Sequence, residues 1–234
     1  MRRVCVMAVS VSLVVALGCG GKHYEARMER TLQNMETGRR IKKNLMDPPG
    51  DKKFAELSIY IRPPKEEAQA PAGQIPAAEG QFDLNASFVE GAGAALHVLA
   101  RVKMPRKPPT KGAPPPPPPP PRGAFDADVL GVLAAAFNSP GALQSPKFRA
   151  ETRKDGNSFR RLNFAANDKE VNLYIYKHEN HDVALVFVYD PKVKNALSGK
   201  IELCLDTFAT GPAAARQYAG AAPEEAVSTP AAPL

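Results

Sequence analysis

Residues 147–189 read KFRAETRKDGNSFRRLNFAANDKEVNLYIYKHENHDVALVFVY. Four segments, 147–153, 159–165, 171–177 and 183–189, carry the β-branched and aromatic residues of strands. Between them lie short polar runs: Lys154-Asp155-Gly156-Asn157, Asn167-Asp168-Lys169 and His178-Glu179-Asn180-His181. Turns this short join antiparallel neighbours, because a parallel crossover needs a dozen residues or more. Val171, Leu173 and Ile175 share one side of their strand. In the last segment Val183, Leu185 and Phe187 are apolar, and so are Ala184, Val186 and Val188. A strand apolar on both sides belongs at the centre of a sheet covered on both faces.

Working outward, residues 191–197 are read as a helical turn. Ile201, Leu203 and Leu205 alternate and predict a last strand carrying Cys204 on its other side. The alanines of 212–218 predict a short helix. Toward the N-terminus, Asp126 is placed to cap a helix bearing Val129, Leu130, Leu133 and Phe137, stopped by Asn138-Ser139-Pro140-Gly141. Leu96, Val98, Ala100 and Val102 alternate as a strand with His97 on its opposite side. Phe82 and Leu84 are assigned to the surface of the core. Leu57, Ile59 and Ile61 predict a further strand, closed by Pro63-Pro64. Tyr24, Met28, Leu32 and Met35 recur at steps of three and four, so residues 23–46 read as a helix. The plain reading is a packing helix with a solvated face. The alternative is a helix lying on anionic headgroups or pairing with a partner helix.

This order predicts an α+β fold, a twisted antiparallel sheet packed with helices. It is loosely similar to the exported domains of the PsbP type, in which a sheet lies between helices. The resemblance implies a fold and no activity.

Residues 114–121 are eight consecutive prolines. Each fixes φ and lacks an N–H, so the run is expected to extend as polyproline II at about 3.1 Å per residue. The surrounding stretch, 104–123, is read as a basic linker or insertion. The boundaries that follow are 1–18 for a signal peptide and 19–53 for an anchor and N-terminal helix. Residues 54–103 are the first strands, 124–220 the main α+β portion and 221–234 a disordered tail.

The chain begins with Arg2 and Arg3, an apolar run over 4–17, and then Gly18-Cys19. The charge and length are those of a secretory signal. The run is short of the roughly 20 apolar residues of a spanning helix. Ala16-Leu17-Gly18-Cys19 resembles the lipobox of bacterial lipoproteins, with Ala16 where the family usually has leucine. The resemblance implies cleavage before Cys19, lipid on its thiol and acylation of the new amine. Each buried methylene contributes about 0.8 kcal/mol, so several chains hold a protein stably where one does not. Gly20, in place of the aspartate that marks inner-membrane retention in that family, implies the periplasmic face of the outer membrane.

The 234 residues include 24 prolines and no tryptophan, and the proline clusters shorten the length available for a core, so one real domain is expected. The net charge of +7 includes Arg2 and Arg3 of the leader. Arg101, Lys103, Arg106, Lys107, Lys111 and Arg122 fall in one stretch without an acid, so the basic excess is local. It suits an acidic envelope polymer. Nucleic acid is not expected, since no reader motif accompanies the charge. With Cys5 in the leader and Cys19 lipidated, Cys204 is the only remaining thiol, and the fold must stand without a disulfide.

No nucleophile elbow, phosphate loop or dinucleotide fingerprint occurs, so no catalytic residue and no cofactor is assigned. His178 and His181, flanked by Glu179 and Asp182, are the candidates for a divalent-ion site. They lack the helical spacing of a zinc protease pair, and a solvated turn explains them as well. Cys204 is read as structural, because no base accompanies it. Asp126 and Asp128 have the helix N-terminus as their explanation. The expectation is a lipid-anchored envelope protein with a non-catalytic binding or structural domain and an envelope protein or acidic polymer as partner. The alternative is an exported enzyme with an unrecognised, metal-assisted site at His178 and His181.

Overall fold

Alternation and short turns organise the middle of the chain as the sequence implies. The structure is a computed structural model. It describes residues 2–65, 75–90, 94–103, 122–138, 140–153 and 156–220. The proline run and the tail from 221 lie outside the described residues. The chain divides into two units, Met1–Asn44 and Leu45–Leu234. The first is helix α1, Arg2–Asn44. Its apolar stripe is exposed: Tyr24, Met28, Leu32 and Met35 are between 46% and 61% accessible.

The second unit is α+β. It opens with α2 (Lys52–Glu56), capped by the Asp51 carboxylate accepting from the Lys53 N–H at 2.9 Å. Strand β1 (Ile59–Tyr60) is only two residues long. Ser58, at φ 52°, turns the chain left-handed and cuts short the strand expected from Leu57. Next come β2 (Leu84–Glu90), β3 (Ala94–Val102), α3 (Phe125–Phe137) and α4 (Pro140–Leu143). The meander follows as β4 (Arg149–Thr152), β5 (Ser158–Ala166), β6 (Lys169–His178) and β7 (His181–Tyr189). A 3-10 turn (Pro191–Val193) leads into α5 (Lys194–Thr207), then β8 (Ala209–Thr210) and α6 (Gly211–Gly220). The main sheet has the order β2-β3-β7-β6-β5-β4, antiparallel throughout, and β1 pairs with β8 apart from it.

Two-residue turns fix the register. Asn167 and Asp168, at φ 51° and 60°, join β5 to β6 in the left-handed conformations of a type I′ hairpin, which these two residue types tolerate best after glycine. Leu162 therefore faces Leu173 and Arg161 faces Tyr174. Strand β7 lies between β3 and β6, and Val183, Leu185, Phe187 and Tyr189 are as buried as Ala184, Val186 and Val188. One face of the sheet packs against α3 and α4. Leu99, Leu162, Leu173 and Val186 meet Val129, Val132 and Leu133 there. The other face carries Phe159, Tyr176 and Phe187. Phe208, at the C-cap of α5, packs its ring 5.7 Å from Phe159 and 5.1 Å from Tyr176.

Residues 201–205 form part of α5 and not a strand. Asp190 accepts from the Lys192 N–H and starts the turn, and Leu197, Ile201, Cys204 and Leu205 then fall on one helical face. That spacing holds over fourteen residues, whereas the alternation of 201, 203 and 205 is a coincidence inside it. Edge strand β2 contains Asn85 and Ser87, polar enough to hide it from the sequence pattern.

The segment between β3 and α3, which includes the proline run, leaves and re-enters one domain. Its two ends are tied together. Asp83 accepts from the Val102 N–H at 2.9 Å and pairs with Arg122 at 2.8 Å. Burial opposes ionisation of Asp83, but the Arg122 hydrogen bonds, the Val102 N–H and the Arg122 charge hold its carboxyl below the usual range. The described residues on either side of the proline-rich stretch belong to the same unit, Leu45–Leu234.

Candidate functional site

The face of the sheet toward α3 is chemically closed. Arg101, 7% exposed, donates to the carbonyls of Gln81 (2.7 Å) and Gly123 (2.9 Å) and pairs with Asp128. Its guanidinium also lies 5.3 Å from the Phe82 ring centre and 5.7 Å from that of Phe125. Asp126 pairs with Arg160 of β5 and with Lys177 of β6 at 2.8 Å. Asp126 is thus not the cap of α3. The cap position falls at Ala124, which has no side-chain bond to give, and the two acids of the first turn fasten the helix to the sheet. Opposite-charge pairs give them a partner that a capped N–H would not have required. His97, on the same side, sits 2.7 Å from the Ser87 hydroxyl, and burial pushes its pKa down to about 4.

The residues singled out by sequence are dispersed. His178 and His181 face each other across the β6–β7 turn. The His181 Nε2 lies 3.0 Å from the Leu57 carbonyl, so this ring is bonded to the backbone. No group of three or more His, Cys, Asp or Glu side chains that could hold a metal occurs among the described residues. Cys204 is buried on α5. Cys19 falls within the backbone of α1. Among the described residues, no helix is long and apolar enough to cross a membrane.

The second face carries a polar cluster that sequence reasoning missed. Glu151 of β4 pairs with Arg153 at 3.0 Å and with Arg161 of β5 at 3.3 Å. Arg153 reaches over to α5 and pairs with Asp206 at 2.8 Å, also donating to the Glu202 carbonyl at 3.1 Å. Arg161 donates through Nε to Asn163 at 2.9 Å and lies 5.4 Å over the Tyr174 ring. Beside them Asn172 donates to the Tyr189 hydroxyl at 2.8 Å, which donates to Glu170 at 3.1 Å, and Lys194 of α5 neutralises Glu170. Tyr174 is 3% exposed, and its hydroxyl makes no hydrogen bond among the described residues. Burial, the largest influence on it, pushes its pKa up to about 12.

The chemistry of this cluster is that of paired charges and hydrogen-bond donors. Its carboxylates are each neutralised by a cation, and no nucleophile sits against a base. What it offers is fixed donors. Arg149, exposed on edge strand β4, stands directly opposite Arg161, and Arg161 stands opposite Tyr174.

No family model matches the chain, and no curated protein matches it. Among solved structures, the solution structure of cyanobacterial PsbP (CyanoP) from Synechocystis sp. PCC 6803 is similar. The likeness covers 72% of this chain and 93% of that one, at 12% identity and a TM-score of 0.38.

Proposed function

We propose that the chain is a lipoprotein of the bacterial cell envelope, held by acyl chains on Cys19 at the periplasmic face of the outer membrane, with a sheet domain that binds or braces another envelope component. The observation that carries this reading is the leader: Arg2 and Arg3, the apolar run over 4–17, and Gly18-Cys19. Gly20 supports the outer-membrane address, and the basic residues Lys103, Arg106, Lys107 and Lys111 of the stretch between β3 and α3 support an acidic polymer or an acidic protein surface as partner. The polar cluster of the second sheet face supports binding in preference to catalysis, since it presents donors and no reacting group.

The test is replacement of the acceptor thiol. Cells fed labelled palmitate should label the wild-type chain and leave Cys19→Ser unlabelled. The variant should leave the membrane fraction or accumulate unprocessed, while its sheet domain melts as in the wild type. The domain is expected to be indifferent because Cys19 belongs to the other unit of the chain. Labelling that persists in Cys19→Ser overturns the reading.

A further inference from the structure

We propose that the row Arg149–Arg161–Tyr174, running across β4, β5 and β6 on the α5 face, is a binding site for an oxyanion carried by a carboxylate, sulfate or phosphate group. Three separate features of the structure carry this. The first is electrostatic. Arg149 and Arg161 are register partners on one face of adjacent antiparallel strands. Like charges directly opposite each other are unfavourable, and an anion between them converts repulsion into two attractions. Glu151 does not perform this role for both. It pairs with Arg161 and Arg153, while no partner for Arg149 occurs among the described residues.

The second feature is a set of unused donors. Arg161 spends Nε on Asn163 and Nη1 on Glu151, and its Nη2 donates to no described residue. A guanidinium offers five N–H donors in a planar fork that matches an oxyanion. The third is Tyr174. Its ring is buried, but its hydroxyl oxygen is not among the buried side-chain atoms left without a hydrogen bond, so that oxygen reaches solvent. It donates to no described residue and belongs to the residue lying under the Arg161 guanidinium, which leaves it open to a ligand entering from that side. Its raised pKa keeps the proton on, so at neutral pH it remains a donor. The floor of the site is held rigid by Phe159 and Phe187, whose rings meet that of Tyr174 edge-on at 6.1 and 5.9 Å. Its mouth is open at Arg149 and Asn163, both exposed.

The proposal names a ligand class for the binding role of the sheet domain and rests on that part of the reading above. The anchor at Cys19 plays no part in it. The test uses the purified full chain with tyrosines labelled at Cζ. The resonance of Tyr174 is assigned as the one missing from Tyr174→Phe. Sodium sulfate and sodium acetate are titrated separately at ionic strength held constant with chloride. The Tyr174 resonance should move saturably with one or both, acetate reporting a planar anion and sulfate a tetrahedral one. In Arg149→Gln the midpoint should rise by at least about ten-fold, as expected for a lost charge-assisted hydrogen bond. Arg149 is exposed and outside the core, so this variant keeps the test valid even if Arg161→Gln fails to fold. A resonance that stays still, or moves with the same midpoint in Arg149→Gln, overturns the site. Tyr174 is read on purified protein whatever its lipid state, so failure here and failure of palmitate labelling are separate outcomes.

Discussion

The two faces of the sheet spend their arginines differently. Toward α3, Arg101 is buried and saturated: two carbonyls, one carboxylate and two aromatic rings surround it. Toward α5, Arg149 is exposed opposite another arginine, and Arg161 is only partly used. The first arrangement ties a helix, a loop and the two ends of the insertion to the sheet. Removing one member would strand a buried charge. The second leaves charge near the surface in a form that folding does not need. The contrast separates charge saturated within the fold from charge left partly unpaired among the described residues.

The largest effect is expected where the faces share one strand. Phe187 is 1% exposed on β7, with apolar residues on both sides of the strand. Phe187→Ala should cost about 3–5 kcal/mol, a large share of the roughly 5–15 kcal/mol that holds a domain together. Urea unfolding measures it, and protease sensitivity of the sheet domain should accompany it. A loss below about 1 kcal/mol, as surface positions give, would mean that β7 is not the common core of the two faces.

A smaller effect separates the faces by pH. His97 lies on the α3 side, buried beside Ser87, with Val186 opposite it in the register. Burial holds its pKa in the folded state down at about 4, below the ordinary imidazole value of about 6.5. The unfolded chain therefore takes up a proton before the folded one does. This costs nothing above about pH 6.5, and stability falls as pH drops from there to about 4, by about 3 kcal/mol in all. His97→Asn should flatten that part of the profile. Calorimetric melting between pH 7 and 4 decides, and an unchanged slope in the variant would remove His97 as the cause.

The smallest effect belongs to the α5 face. Tyr174→Phe deletes a hydroxyl that has no hydrogen-bond partner among the described residues, so stability should change by less than about 0.5 kcal/mol or rise. A clear loss in thermal melting would show that the hydroxyl serves the fold.

The four strands of the meander were legible because alternation and turn chemistry agree over residues 147–189. Strand β7 announced its central place by being apolar on both sides. Helix α5 was misread where Ile201, Leu203 and Leu205 satisfied a period of two inside a longer period of 3.6. Strand β2 was missed because an edge strand can carry Asn85 and Ser87 without cost. The polar row was invisible for a different reason. Arg149, Arg161 and Tyr174 are far apart in the chain, and only the register brings them together. That register depends on Asn167 and Asp168 adopting a two-residue left-handed turn, whereas the sequence suggested a turn that included Lys169. A one-residue difference there moves every side chain of β6 to the other face. Asp126 and Asp128 were visible as helix N-terminal acids, but their partners Arg160, Lys177 and Arg101 come from three strands and could not be read from local spacing.

The most direct measurement compares two arginines in the same full-length chain by equilibrium unfolding in urea. Arg101→Gln strands Asp128 and two carbonyls near the α3 face, and it should lose about 3–5 kcal/mol or fail to fold. Arg149→Gln removes one of two facing cations on the α5 side and should stay within about 0.5 kcal/mol of the wild type, or gain. Equal losses in the two variants, or a larger loss in Arg149→Gln, would contradict the division between a closed face and an open one.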